Sequence, residues 1–142
     1  MASFIPVSLL VLFRVKGSVI QLFMQNREED GPLNGLLEFP GGKIEADETP
    51  QEAAIREFSE EVEVITGSCT QFKFYKYDYS DRCVCLFVNI MRVEDKEFCK
   101  GSWVDLAPEY SSEYWSEKVP DANLEILKDL TYYLHKVHGD KL

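Results

Sequence analysis

The sequence predicts an α/β protein in which a mixed β-sheet is flanked by helices. Three observations carry this. Apolar, strand-like runs stand before, between and after two segments of helical periodicity. The first helical segment opens on Thr49-Pro50-Gln51-Glu52, a full set of helix-start residues. The second, residues 122–138, repeats leucine at helical spacing.

SFIPVSLLVLFRV (residues 3–15) reads as a buried strand. It has neither the basic leader nor the small-residue cleavage site of a signal peptide. No apolar run approaches the ~20 residues that span a bilayer, so no membrane partner is expected. Lys16-Gly17 forms a turn into a second strand, SVIQLFMQNR (18–27). EEDGPLNG (28–35) is a loop rich in turn formers. LLEFP (36–40) is extended, because the residue before Pro40 is pushed out of the helical region. Gly41 and Gly42 then allow a backbone path that other residues resist.

The first helix runs from Pro50 to about Val62. Thr49 caps its first amides, Pro50 suits the first helical position, and Glu52 completes a capping box. TQFKFYKYDYS (70–80) alternates as a strand does, and CVCLFVNIM (83–91) is apolar enough to be central. SWVDL (102–106) is a short strand. The last helix puts Leu124, Leu127, Leu130, Leu134 and Val137 on one face. With no repeat and no linker, residues 1–142 are expected to form one domain.

Twenty-five acidic against fifteen basic residues give a net charge of −10. Such a chain repels polyanions, so long nucleic acid is not an expected partner, while a metal-neutralised polyphosphate is compatible. The four cysteines form no C-x-x-C pair, and the two histidines, His135 and His138, sit near the C-terminus. Reduced, packed thiols in a cytoplasmic protein are the expectation, not a zinc site.

The first helix is crowded with carboxylates. At 100° per residue Glu57, Glu60 and Glu61 fall within about 100° of one another, which sets like charges side by side. Ile55, Phe58 and Val62 fall on another face, to pack on the sheet, and Ala53 and Ala54 leave room beside them. Three converging carboxylates require a counter-charge. A hard divalent ion such as Mg²⁺, with Mn²⁺ as substitute, takes oxygen ligands and keeps waters for a phosphate substrate. Arg56 lies four residues from both Glu52 and Glu60, where it can orient carboxylates. The plain alternative is a solvated helix face with ordinary surface glutamates.

Gly42, five residues, Glu48, seven residues, then Arg56-Glu57-Phe58-Ser59-Glu60-Glu61-Val62-Glu63-Val64 resembles the Nudix box, here residues 42–64. Every charged position matches. Phe58 stands where the pattern has an aliphatic residue, and Glu63 where it has glycine. The resemblance implies an α/β/α sandwich and Mg²⁺-dependent hydrolysis of a nucleoside diphosphate linked to another group. It implies metal ligation by Glu57, Glu60, Glu61 and the Gly41 carbonyl, with Glu48 and Arg56 as further charged residues of the machinery. Glu57 and Glu97 are both candidates for the general base.

LEFPGGKIE, YDYSDR, GSWVDL and PDAN are similar to the MutT-like branch of that family. Its members cleave nucleoside triphosphates, oxidised guanine nucleotides by preference, to the monophosphate and pyrophosphate. That likeness implies a base site from Arg27, Phe39, Asp81, Arg82 and Asn123, and a further metal-binding acid at Glu97. The chain would act as a monomer or weak dimer on a small nucleotide. Other substrates remain open: the 5′ end of RNA, a canonical nucleotide or a nucleotide sugar. So does a non-catalytic nucleotide-binding module, although no box carboxylate is lost. Asn123 could also serve only as a helix cap, Phe39 as core and Arg82 as surface.

Overall fold

The computed structural model describes residues 3–138. Packing divides them into two compact units, and the chain passes between these several times. Strand β1 (Ser3–Lys16) contributes to both, its first ten residues to one unit and Phe13–Lys16 to the other.

The first unit holds the glycine pair and the acidic helix. The strand β4 (Gly41–Lys43) pairs antiparallel with β1, Ser8 opposite Gly42 and Leu9 opposite Gly41. Strands β5 (Thr70–Asp78) and β6 (Arg82–Arg92) form an antiparallel hairpin with an irregularity between Gln71 and Lys73. β6 lies between β1 and β5, which is the central place its apolar run predicts. Helix α1 (Pro50–Glu61) packs on β4, β5 and β6 and buries Ala53, Ala54 and Phe58.

The start of α1 is built as predicted. The Thr49 hydroxyl accepts from the Glu52 amide at 3.1 Å, and Glu52 Oε1 accepts from the Thr49 amide at 2.8 Å. A buried polar chain ties this end to the sheet: Asn89 Nδ2 donates to Ser8 Oγ at 2.8 Å, and Ser8 Oγ donates to the Pro50 carbonyl at 2.6 Å. Ile55 does not pack on the sheet as expected. It is half-exposed and lines a recess of about 350 Å³ with Gln51, Gly67 and Cys69.

The second unit is built on β2 (Val19–Asn26), paired antiparallel with the end of β1, with β3 (Leu37–Glu38) and with β7 (Ser102–Leu106). It also holds a five-residue helix, α2 (Ser112–Ser116), and the longer α3 (Leu124–His138). α3 buries Ile126, Leu127, Leu130, Thr131 and Leu134. The predicted stripe is therefore rotated: Leu124 is half-exposed, and Val137 is 40% exposed in the last turn of the helix. Both units follow the α/β plan that the sequence predicts.

Candidate active site

Arg56 is the centre of the acidic helix. Its Nε and Nη2 donate to the two oxygens of Glu48 at 2.6 and 2.9 Å, a two-pronged contact that matches guanidinium to carboxylate. Nη1 donates to Glu57 at 3.1 Å and to Glu60 at 3.3 Å, and Nη2 to the Lys43 carbonyl at 3.1 Å. The expected link to Glu52 is absent, because that carboxylate is spent on the Thr49 amide. Glu48 also accepts from the Glu45 amide. These bonds, with the Arg56 contact foremost, hold the Glu48 carboxyl below its usual range, and Glu48 in turn is the main cause that raises Arg56.

Among the described residues no three acidic, histidine or cysteine side chains converge closely enough to hold a cation by themselves. Arg56 bonds both Glu57 and Glu60. Glu61 is half-exposed on the same helix.

The glycine pair serves a purpose other than the one predicted. Neither residue has a positive φ. Both are glycine for lack of space. A Cβ on Gly42 would come within 2.6 Å of both Glu57 carboxylate oxygens. A Cβ on Gly41 would meet the Ser8 carbonyl oxygen and lie 2.6 Å from Leu9 Cδ2. Glu57 therefore rests directly on the β4 backbone, its side chain only 18% exposed.

Glu97 belongs to the second unit. There it pairs at 3.1 Å with Arg14, whose side chain is 6% exposed. Arg14 also donates to Gln21 at 2.8 Å and to the Lys96 carbonyl at 3.3 Å, and its guanidinium lies 4.3 Å from the centre of the Trp103 ring. Trp103 Nε1 donates to the same Lys96 carbonyl. The segment just before Glu97 is thus gripped by a buried cation and an aromatic ring. Arg14 was missed at the sequence level; its only signal is a charge inside the run SLLVLFRV.

The predicted base-site residues are divided between the units. In the first, Asp81 and Arg82 form an exposed pair at 3.8 Å on the β5–β6 turn, with Arg82 over the Tyr79 ring. Phe39 is 4% exposed and packs as core. In the second, Arg27 bridges Glu29 at 3.3 Å and Glu38 at 3.4 Å. Burial raises the Glu38 carboxyl above its usual range, and Arg27 offsets part of this. Asn123 closes a short 3₁₀ turn, its amide bonded to the Pro120 carbonyl at 2.9 Å. Its half-exposed side chain makes no hydrogen bond to the described residues, so it does not act as a cap.

The fold thus seats a capped, carboxylate-rich helix against a glycine pair. The NUDIX domain model matches residues 4–113, and the chain belongs to the Nudix family of hydrolases. It is 36% identical over 91 residues to the 8-oxo-dGTP diphosphatase of Escherichia coli, a match covering 61% of this chain and 70% of that one. It is 37% identical over 65 residues to the Proteus vulgaris 8-oxo-dGTP diphosphatase, covering 46% of this chain and 58% of that relative. Among solved structures it resembles MutT from Aliivibrio salmonicida and Vibrio cholerae, with a TM-score of 0.66, 23% identity, and coverage of 90% of this chain and 96% of that one. At that identity the likeness concerns the fold alone. No described helix is long and apolar enough to cross a membrane.

Proposed function

We propose that the chain is a divalent-metal-dependent nucleoside triphosphate pyrophosphohydrolase of the MutT-like kind. It acts on 8-oxo-dGTP, dGTP or a related purine nucleotide and releases the monophosphate and pyrophosphate. The whole chain, 1–142, serves as one Nudix domain. What supports the reading best is the Gly42–Glu57–Arg56–Glu48 arrangement on α1, together with the relatives named 8-oxo-dGTP diphosphatase.

The residues fit a hard cation. The donors are carboxylate oxygens and a backbone carbonyl, and Gly42 leaves Glu57 room against the strand. Mg²⁺ keeps most of its waters and needs only one or two carboxylates besides the substrate's phosphates, so a closed three-carboxylate cage is not required. On the first unit the residues that would hold it are Glu57, Glu60, Glu61 and the Gly41 carbonyl. Mn²⁺ would substitute. Bound there, the cation neutralises phosphate charge and makes a coordinated water a better nucleophile.

The chain's own residues do the rest. Arg56 fixes Glu57 and Glu60 and is itself fixed by Glu48, so the carboxylates are aimed before substrate arrives. A glutamate, Glu57 or Glu97, accepts the proton from the attacking water. Of the base-site candidates, Asp81 and Arg82 in the first unit offer charge, and in the second unit Arg27 offers charge and Asn123 an unspent amide with one donor and one acceptor face; Phe39 is core. With four free thiols the protein suits a reducing, cytoplasmic setting, acting as a monomer or weak dimer. Steady-state rates on a panel of 8-oxo-dGTP, dGTP, CTP, a nucleotide sugar and 5′-triphosphorylated RNA test the substrate class. The proposal expects the oxidised or normal guanine triphosphate to lead. A lead for RNA or the nucleotide sugar would replace it.

A further inference from the structure

Two polar side chains of the first unit, Ser8 and Asn89, tie the glycine strand and the acidic helix to one point of the sheet. Both are fully buried. Asn89 Nδ2 donates to Ser8 Oγ at 2.8 Å and to the Leu9 carbonyl at 3.0 Å. Both acceptors belong to residues that face the glycine pair, since Ser8 stands opposite Gly42 and Leu9 opposite Gly41. The Ser8 hydroxyl has a single proton to give. It goes to the Pro50 carbonyl, at the first residue of α1, at 2.6 Å.

Pro50 and Glu57 are seven residues apart in α1. At 100° per residue that is two turns less about 20°, so they share one face, about 10 Å apart along the axis. Ser8 holds one end of this face. The other end carries the carboxylate that lies on Gly42, the strand partner of Ser8. Ala53, Ala54 and Phe58 bury apolar surface along the helix, but such burial is non-directional. A hydrogen bond fixes both distance and angle, so the Ser8–Pro50 link sets where along the strand the helix comes to rest. Stability alone does not explain the pair. Asn89 Oδ1 is buried and accepts no hydrogen bond from the described residues, which costs free energy. Two apolar side chains of the same shape would serve the core about as well.

We propose that Ser8 and Asn89 are positioning residues for Glu57. Asn89 holds Ser8 and Leu9 in place opposite the glycine pair, and Ser8 holds the start of α1, so that the Glu57 carboxylate is laid on Gly42. This rests on the reading of Glu57 as an acid of the active site given above, and it adds the device that places that acid.

The test uses the full chain carrying Ser8→Ala, Ser8→Ala together with Asn89→Leu, or Val88→Ala, each with and without Glu57→Gln. Val88 is fully buried on the same strand as Asn89 and takes no part in the polar link, so its variant reads the effect of lost packing by itself. Three quantities are measured: melting temperature, the change in the Gly42 amide chemical shift caused by Glu57→Gln, and kcat and KM separately on the leading nucleotide of the panel. Misplacing a reacting group by about 1 Å costs up to the order of a hundredfold in rate. Ser8→Ala should therefore lower kcat about tenfold or more with KM little changed, and it should shrink the Gly42 response. The double variant removes both polar partners, so it should melt above Ser8→Ala yet keep the low kcat and the small Gly42 response. It carries the test alone if Ser8→Ala does not fold. Val88→Ala should melt below the wild type and keep the wild-type kcat and Gly42 response. A double variant with wild-type kcat and Gly42 response would overturn the inference and leave the role of Glu57 standing. No effect of Glu57→Gln on wild-type turnover would overturn that role, and the inference with it.

Discussion

The Glu57 carboxylate lies against the bare Cα of Gly42, so close that a Cβ there would come within 2.6 Å of both its oxygens. The obstacle is the end of a flexible side chain, which can move aside. Gly42→Ala should therefore fold with little change in melting temperature but displace Glu57. Turnover should fall towards that of Glu57→Gln, for which a loss on the order of a hundredfold is expected. Gly41→Ala meets the Ser8 backbone instead, so its main effect should be a lower melting temperature. The opposite pattern across the two variants would mean that Gly42 is glycine for some reason other than Glu57.

The bond from Arg56 to Glu48 makes stability depend on pH with a definite sign. The Glu48 carboxyl is lowered in the folded chain, whereas in the unfolded chain it titrates near ~4.3. Its contribution is thus fully present above that value and is lost as pH falls through the lower, folded value. Denaturant unfolding of the wild type and Glu48→Gln should show the wild type ahead at pH 7. The gap should narrow as pH drops below about 4. A gap that stayed constant down to the acid limit would show that Glu48 acts by packing and not by charge.

Asn89 and Ser8 are both fully buried, and together they carry the only polar link described here between the sheet and the Pro50 carbonyl. Ser8→Ala strips a partner from both ends of that chain at once. A loss of about 1–3 kcal/mol in unfolding free energy is expected, the cost of buried polar groups left unpaired. Equilibrium unfolding in urea measures it. A change within error would mean that water or a shift of α1 replaces the hydroxyl.

Features decided by residues close in sequence were legible in advance. The cap of α1 is an example, since Thr49, Pro50 and Glu52 act within one turn. So were the strands that run 8 residues or longer. Features decided by distant partners were not. Arg14 reads as a stray charge in a strand, because Lys96, Glu97 and Trp103 meet it only in the fold. In the sequence the glycine pair reads as a need for backbone freedom, because the atoms that crowd it, from Ser8, Leu9 and Glu57, lie elsewhere in the chain. Helix α2 leaves no signal in the sequence, since five residues with one buried side chain, Trp115, show no period.

Asn123 offers a test of base selection. Its side-chain amide is uncommitted within the described residues, so Asn123→Ala removes no bond of the fold. If the amide reads the base, kcat/KM for the favoured guanine nucleotide should fall by the equivalent of about 1–3 kcal/mol. The rate on CTP should change far less, leaving a less discriminating enzyme. An equal fall for 8-oxo-dGTP, dGTP and CTP would remove Asn123 from the base site.

The most direct test of the account is the identity of the products formed from 8-oxo-dGTP or dGTP with Mg²⁺ present and again after chelation. Separation by anion-exchange chromatography suffices. The account predicts monophosphate and pyrophosphate in equal amounts, formed only with the metal, and formed at least about a hundredfold more slowly by Glu57→Gln. Release of inorganic phosphate with a nucleoside diphosphate, or turnover indifferent to both the chelator and Glu57, would contradict it.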